Sequence, residues 1–447
     1  MNISINAGTA AKCAVLFCAG MLAFSCAPPA GNNPAVTNAN LPANAPVANS
    51  SPAANSVDQK QLESVALTLP ILDALLTDDE TAAAIKTESQ ISDEQLQKLK
   101  DAARQAVLKL GERAGEDDYD RSTTESMAAA KKKIDEILGD RGAAFIDVVR
   151  RHIAAQGEAL AAAQPNAVPN DTRIVVNTPA YRMDVFKDGK LIKTYKVGIG
   201  YPEFPLPIGL RKADTIIFNP TWTPPDAPWV KGKFAPGKKV EAGSKDNPLG
   251  PLKIPIGLPN LIHGGKAPAR LGTFASHGCV GLTNSQVQDF AIVLSNVADS
   301  PLTMTEVKAY EKNNTETKKV KFDKPIPVEL RYETIVVVDG KLKIYRDVYE
   351  KGTNTEDNLR RVLEVYGVSL DSIDPAERAK IIDGLEQMAR DAQGNPVDSS
   401  NDDDGKKKKP TSAKVTRNAK GKTEIEFTLP ELEGKGYPAP ISSTPAK

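Results

Sequence analysis

The chain has 447 residues, with 57 Lys plus Arg against 57 Asp plus Glu and a formal net charge of zero. A balanced chain has no field to draw in a polyanion, so no nucleic-acid partner is expected. The length predicts two or three domains, and a hydrophobic content of 40% is enough to build cores for them.

At the start, Lys12 precedes an apolar run from Cys13 to Phe24. About a dozen residues are too short to span a bilayer but suit the hydrophobic region of a signal peptide, assigned to 1–25. Ala23-Phe24-Ser25-Cys26 resembles a bacterial lipoprotein box, with Leu22 one position early and Phe24 bulky for the motif. Two outcomes follow: lipidation of Cys26, which would attach the protein to a membrane, or ordinary cleavage after Ser25. Both export the chain to the periplasm or cell envelope. Residues 26–56, rich in Pro, Ala, Asn and Ser, cannot form a core and read as a tether.

Residues 57–163 read as a helical domain. Ser92-Asp93-Glu94-Gln95 is a capping-box pattern, and Leu96, Leu99, Ala103, Val107 and Leu110 then recur at helical spacing up to Gly111. Ala128–Leu138 and Ala143–Ala163 are predicted as further helices. His152, in the last of them, has no metal or catalytic partner at motif spacing and reads as an ordinary histidine. Gln164–Asn170 is a linker. Beyond it the pattern becomes strand-like at 173–177, 181–186 and 191–199, with Asp188-Gly189 as a turn. Proline-rich loops follow, and then a helix over Ser285–Asn296. Asp289 on that helix reads as a solvated carboxylate. Pro301–Val307 is expected to close the domain as a strand. A C-terminal extension over 325–392 is predicted as a hairpin (329–338 and 342–348) followed by helices at Asn358–Tyr366 and Pro375–Ala392. Residues 393–447 are expected to be a largely disordered tail, with Lys406–Lys409 solvated. The fold class is multidomain α+β, with a helical N-terminal region, a mainly-β domain and a small α/β extension.

Chemistry concentrates in Leu261–Asn284. This stretch holds His263, His277 and Cys279, out of three histidines and four cysteines in the chain, and the other cysteines lie within the first 26 residues. A thiolate is a strong nucleophile, and a nearby imidazole can generate it near neutral pH. Glycines beside it let backbone approach a carbonyl, and backbone N–H groups there can receive an oxyanion. The plain alternative, a small buried apolar cysteine, leaves the His-Gly-Cys context without a reason. No Cys-x-x-Cys or His-x3-His pair accompanies these residues, so no metal is expected, and acyl transfer needs no cofactor. With the leader removed, Cys279 is a lone thiol kept in an oxidising compartment, which suggests use.

His263-Gly264 followed by Ser276-His277-Gly278-Cys279-Val280 resembles the L,D-transpeptidase catalytic domain of the YkuD family, whose signature is HG then [ST]HGC. Asn219-Pro220-Thr221-Trp222-Thr223-Pro224, Pro207-Ile208-Gly209 and Leu271-Gly272 match flanking motifs in family order, over roughly 172–308. The resemblance implies a mainly-β catalytic domain with Cys279 as nucleophile and His263 as general base. It implies that the Gly264 carbonyl orients His263, and that His277, Gly278 and Cys279 offer backbone donors to the oxyanion. Ser276 and Trp222 are candidates for substrate binding, though Trp222 reads more readily as a core residue. Where the family usually has Arg or Asn, two residues after the cysteine, this chain has Gly281; Lys266 or Arg270 are the candidates to compensate. The implied activity is formation of 3→3 cross-links between peptidoglycan stem peptides through a cysteine thioester. Hydrolysis of the same thioester by an L,D-carboxypeptidase and a catalytically decayed wall-binding lipoprotein are the alternatives.

Overall fold

The computed structural model describes residues 62–63, 65–110, 122–157, 164–224, 238–313, 315–389 and 422–441. The signal-peptide and tether assignments, Cys26 and Lys406–Lys409 lie outside the described residues, so their expectations are not addressed by the fold. Among the described residues no helix is long and apolar enough to cross a membrane.

The N-terminal region contains helices at Leu69–Leu76, Asp79–Ser89, Asp93–Lys109, Thr123–Leu138 and Gly142–Ala155. Each of the first four begins at a Ser, Thr or Asp whose side chain accepts an otherwise unsatisfied backbone N–H. Ser92 and Gln95 form the full reciprocal capping box. Leu72, Leu76, Ile85, Leu99, Ile134, Phe145 and Val149 are the buried centre of this bundle. The first two helices were not anticipated. Leu69–Leu76 is apolar on nearly every face and shows little amphipathic period.

An eight-stranded sheet follows, in the order β3-β2-β1-β10-β5-β6-β7-β9. Its strands are β1 (Arg173–Asn177), β2 (Arg182–Lys187), β3 (Lys190–Lys196), β5 (Gly209–Phe218), β6 (Leu252–Pro255), β7 (Leu261–His263), β9 (Val280–Gly281) and β10 (Lys318–Arg331). A short pair, β4 (Ile199–Gly200) and β8 (Phe274–Ser276), lies beside β9. The helix Asn284–Val297 buries Val287, Phe290, Ala291 and Leu294 in the sheet's core, with Thr283 and Gln286 as its capping box.

Three expectations are corrected. The closing strand predicted at Pro301–Val307 is a loop and a helix, Met304–Lys312, because Thr303 and Glu306 form a capping box that commits the backbone to helix. The strand predicted at 329–338 is two. β10 runs through Lys318–Arg331 between β1 and β5, while β11 (Ile335–Val338) joins a separate sheet with β12 (Lys341–Tyr345) and β13 (Glu424–Thr428). β13 also corrects the disordered tail, since Ile425 and Phe427 pack on the core formed with helices Glu356–Val365 and Pro375–Met388.

Contacts between these parts converge behind the active-site turn. Thr68 donates from Oγ1 to Glu203 O at 2.6 Å, and Thr123 from Oγ1 to Pro202 O at 2.8 Å. The helical region thus holds the segment Tyr201–Phe204. Buried Arg211 on β5 donates to Ile153 O at 3.0 Å, meeting a carbonyl in the last turn of a helix. From the C-terminal side, Tyr349 donates to Gly200 O at 2.8 Å.

Candidate active site

β7 and β9 are parallel neighbours, with Ile262 opposite Val280 and His263 opposite Gly281. One step further places Cys279 beside Leu261, and a backbone hydrogen bond from Leu261 reaches the sulfur. Residues two apart on a strand share a face. Cys279 and His263 therefore hold diagonal positions on one face of the β7–β9 pair.

His263 is 4% exposed, and its Nδ1 lies 2.7 Å from Gly264 O. A carbonyl only accepts, so Nδ1 carries the proton and Nε2 is left as the basic nitrogen. Burial, reinforced by Lys266 and Lys253, pushes the imidazole down to about 3. It is neutral at physiological pH. Burial also pushes the Cys279 thiol up, against the Leu261 hydrogen bond and the charges of Lys266 and Lys253, which pull it down. Cys279 is partly exposed as a residue. At rest the pair is thiol and neutral ring, because desolvation disfavours both charged forms.

The turn is fixed from several sides. Ser276 is 2% exposed; its Oγ accepts from Cys279 N at 2.9 Å and donates to Cys279 O at 2.5 Å. The Ser276 hydroxyl thus braces the turn, and the Cys279 N–H is engaged within the loop. Gly278 has φ +92°, a conformation that favours glycine, and its carbonyl accepts from Asn260 Nδ2 at 2.5 Å. Among the described residues its N–H makes no hydrogen bond, so it is a donor available at the turn. The His277 ring packs against Tyr201 and Phe204, with centroids 5.2 Å and 5.0 Å away. Trp222 is half-buried, and its backbone forms a β-bridge with Val240.

Sequence reasoning missed four contributors. Asn260 holds the Gly278 carbonyl from 18 residues away. Lys253, opposite His263 on β6, acts on both Cys279 and His263. Tyr201 and Phe204 reach His277 from a proline-rich loop whose sequence carries no signal for that contact. Asp289 bonds Tyr195 at 2.7 Å and Lys193 at 2.9 Å. It is tied to its neighbours where a solvated carboxylate was expected. His152 lies 3.1 Å from Glu88. Among the described residues no three His, Cys, Asp or Glu side chains group in a way that could hold a metal ion.

Comparison with known proteins follows the same stretch. The Escherichia coli protein named as a probable L,D-transpeptidase, YbiS, is 31% identical over 119 residues, 26% of this chain and 39% of YbiS. Bacillus subtilis YqjB, also named for L,D-transpeptidase activity, is 27% identical over 128 residues, 27% of this chain and 65% of YqjB. The chain thus spans less than two thirds of either relative. The solved catalytic domain of the E. faecium L,D-transpeptidase is matched over its whole length and 37% of this chain, at 18% identity and a TM-score of 0.24. An L,D-transpeptidase from Mycobacterium smegmatis is matched over 58% of its length and 36% of this chain, at 16% identity and a TM-score of 0.22. Residues 171–308 match the profile of the YkuD L,D-transpeptidase catalytic domain, and to that family this segment of the chain is assigned.

Proposed function

We propose that the protein is a cysteine-dependent acyltransferase acting on peptidoglycan stem peptides and forming 3→3 cross-links. The observation that carries this reading is the pairing of β7 with β9, which sets the basic nitrogen of a neutral, oriented His263 on the same face as Cys279.

In the proposed reaction, Cys279 Sγ attacks the carbonyl carbon of the third stem residue while its proton passes to His263 Nε2. The Gly278 N–H stabilises the oxyanion. Collapse breaks the C–N bond, and the departing D-alanine takes the proton from His263, leaving a thioester. An amine from a second stem then attacks the thioester. His263 takes the amine's proton and returns it to the sulfur as the new amide forms. Gly264 acts through the carbonyl that fixes the His263 tautomer, and no metal or cofactor enters the scheme. Cell-envelope localisation, export and attachment through a lipidated Cys26 are part of the same proposal.

The test is incubation of the purified protein with tetrapeptide stems, read by mass spectrometry. Dimers lacking one D-alanine are the expected product, and they should vanish in Cys279→Ala. Tripeptide alone would replace cross-linking with carboxypeptidase activity. Unchanged tetrapeptide, with Cys279 inert to a thiol-reactive probe, would point to a decayed wall-binding protein.

A further inference from the structure

Gly281 lies in β9 with no left-handed φ, so conformation does not demand glycine there. Space does. A Cβ at 281 would meet the Lys266 stem, at 2.8 Å from Cγ, 2.9 Å from Cε and 3.3 Å from Cδ. The lysine chain therefore lies across the bare Cα of the residue opposite His263, on the face that carries Cys279. Lys266 is half-buried, its N–H is bonded to Leu282 O at 3.0 Å, and among the described residues no carboxylate pairs with it. Arg270, the other cation of this loop, directs its guanidinium to Tyr201 Oη at 2.9 Å and Phe274 O at 2.6 Å.

We propose that Lys266, seated over Gly281, is the counter-ion of Cys279 when the thiol ionises, a position that His263 does not fill. A buried ammonium without a carboxylate partner gains when an anion forms beside it, and the sulfur is the group on this face able to become one. The electrostatics agree in direction. Lys266 is pulled down to about 8 by burial and held up by Cys279, whereas His263 at about 3 is too weak a base to keep a proton at neutral pH. The other charged groups facing the site are Lys253, with Lys319 behind it, and Arg270 facing Lys266. All are cations. Ionisation sends the thiol proton to solvent and leaves Lys266 charged, and His263 stays neutral for proton transfer. Lys266 is thus a positioning residue that acts through the sulfur.

The catalytic meaning of this inference rests on Cys279 being the nucleophile, but its test reads the thiol alone. The pH dependence of iodoacetamide alkylation at Cys279 is to be measured in the intact protein and its variants. Losing one adjacent cation raises a thiol by about one unit or more. Lys266→Met is therefore expected to move the midpoint upward and slow alkylation at pH 7.5 about tenfold, whereas Lys266→Arg keeps it near wild type and His263→Gln changes it less than about threefold. Gly281→Ala, whose methyl displaces the lysine stem, should produce a smaller shift in the same direction and none in the Lys266→Met background. That arm serves if Lys266→Met fails to fold. A midpoint unmoved by Lys266→Met, or moved by His263→Gln instead, overturns the assignment. Alkylation following the expected pattern without cross-linking of stems would sink the transpeptidase reading and leave the counter-ion standing.

Discussion

The chain places His-Gly twice within Leu261–Asn284, and the two pairs are built differently. His263 ends a strand inside the sheet; its ring is oriented by the next carbonyl, and Gly264 has to be small because a Cβ there would come within 2.8 Å of Val287. His277 sits in a turn, its ring packed against Tyr201 and Phe204, and Gly278 is needed for its φ of +92°. In the first pair the side chain faces the thiol. In the second, the backbone shapes the turn that presents it. The same dipeptide thus gives a buried, carbonyl-oriented ring at one site and a left-handed turn at the other.

Four measurements bear on this contrast. The largest effect is expected for His263→Ala, which should lower the rate of acyl transfer about 10²–10⁴-fold, the usual contribution of a general base. A comparable loss in His277→Gln would break the comparison; that variant is expected to stay within about tenfold. The second measurement is thermal stability against pH. Burial holds His263 at about 3 rather than its ordinary 6.5, so between those values the unfolded chain binds the extra proton. Stability from the neutral ring is complete above about pH 6.5 and declines as acid takes the pH down through that window. The decline should reach at most about 5 kcal/mol. It should be flatter in His263→Gln. Third, Ser276→Ala removes the bracing of Cys279, and a hydrogen bond worth about 1–3 kcal/mol corresponds to about a ten- to hundredfold loss of rate. Its Cys279 alkylation midpoint should move little, separating geometry from electrostatics. The smallest effect is expected for Trp222→Phe, with activity within about twofold; a large rise in KM would return Trp222 to the substrate wall.

Regions beyond the turn show how far the architecture exceeds the motif. The family match ends at 308, yet β10 at Lys318–Arg331 is a central strand of the sheet, held between β1 and β5. Tyr349, later still, bonds Gly200 behind the turn. A construction ending at the family boundary would remove the strand that joins two halves of the sheet.

Where chemistry is local, the sequence determined it. The His-Gly and Ser-His-Gly-Cys stretches, the Ser92 cap and the helix after Thr283 depend on residues a few positions apart, whose bonding follows from type and spacing. The same rule holds at Thr303-Glu306, inside the stretch expected as a closing strand. What tertiary structure decided depends on long-range pairing. Asn260 at Gly278, the Lys266 stem over Gly281, Lys253 opposite His263 and β10 inside the sheet come from strand register, which no local pattern encodes. The protonation of the pair belongs there too. Composition gives a thiol and an imidazole, but burial by distant segments sets the energy of charging them, and here it leaves both neutral at rest.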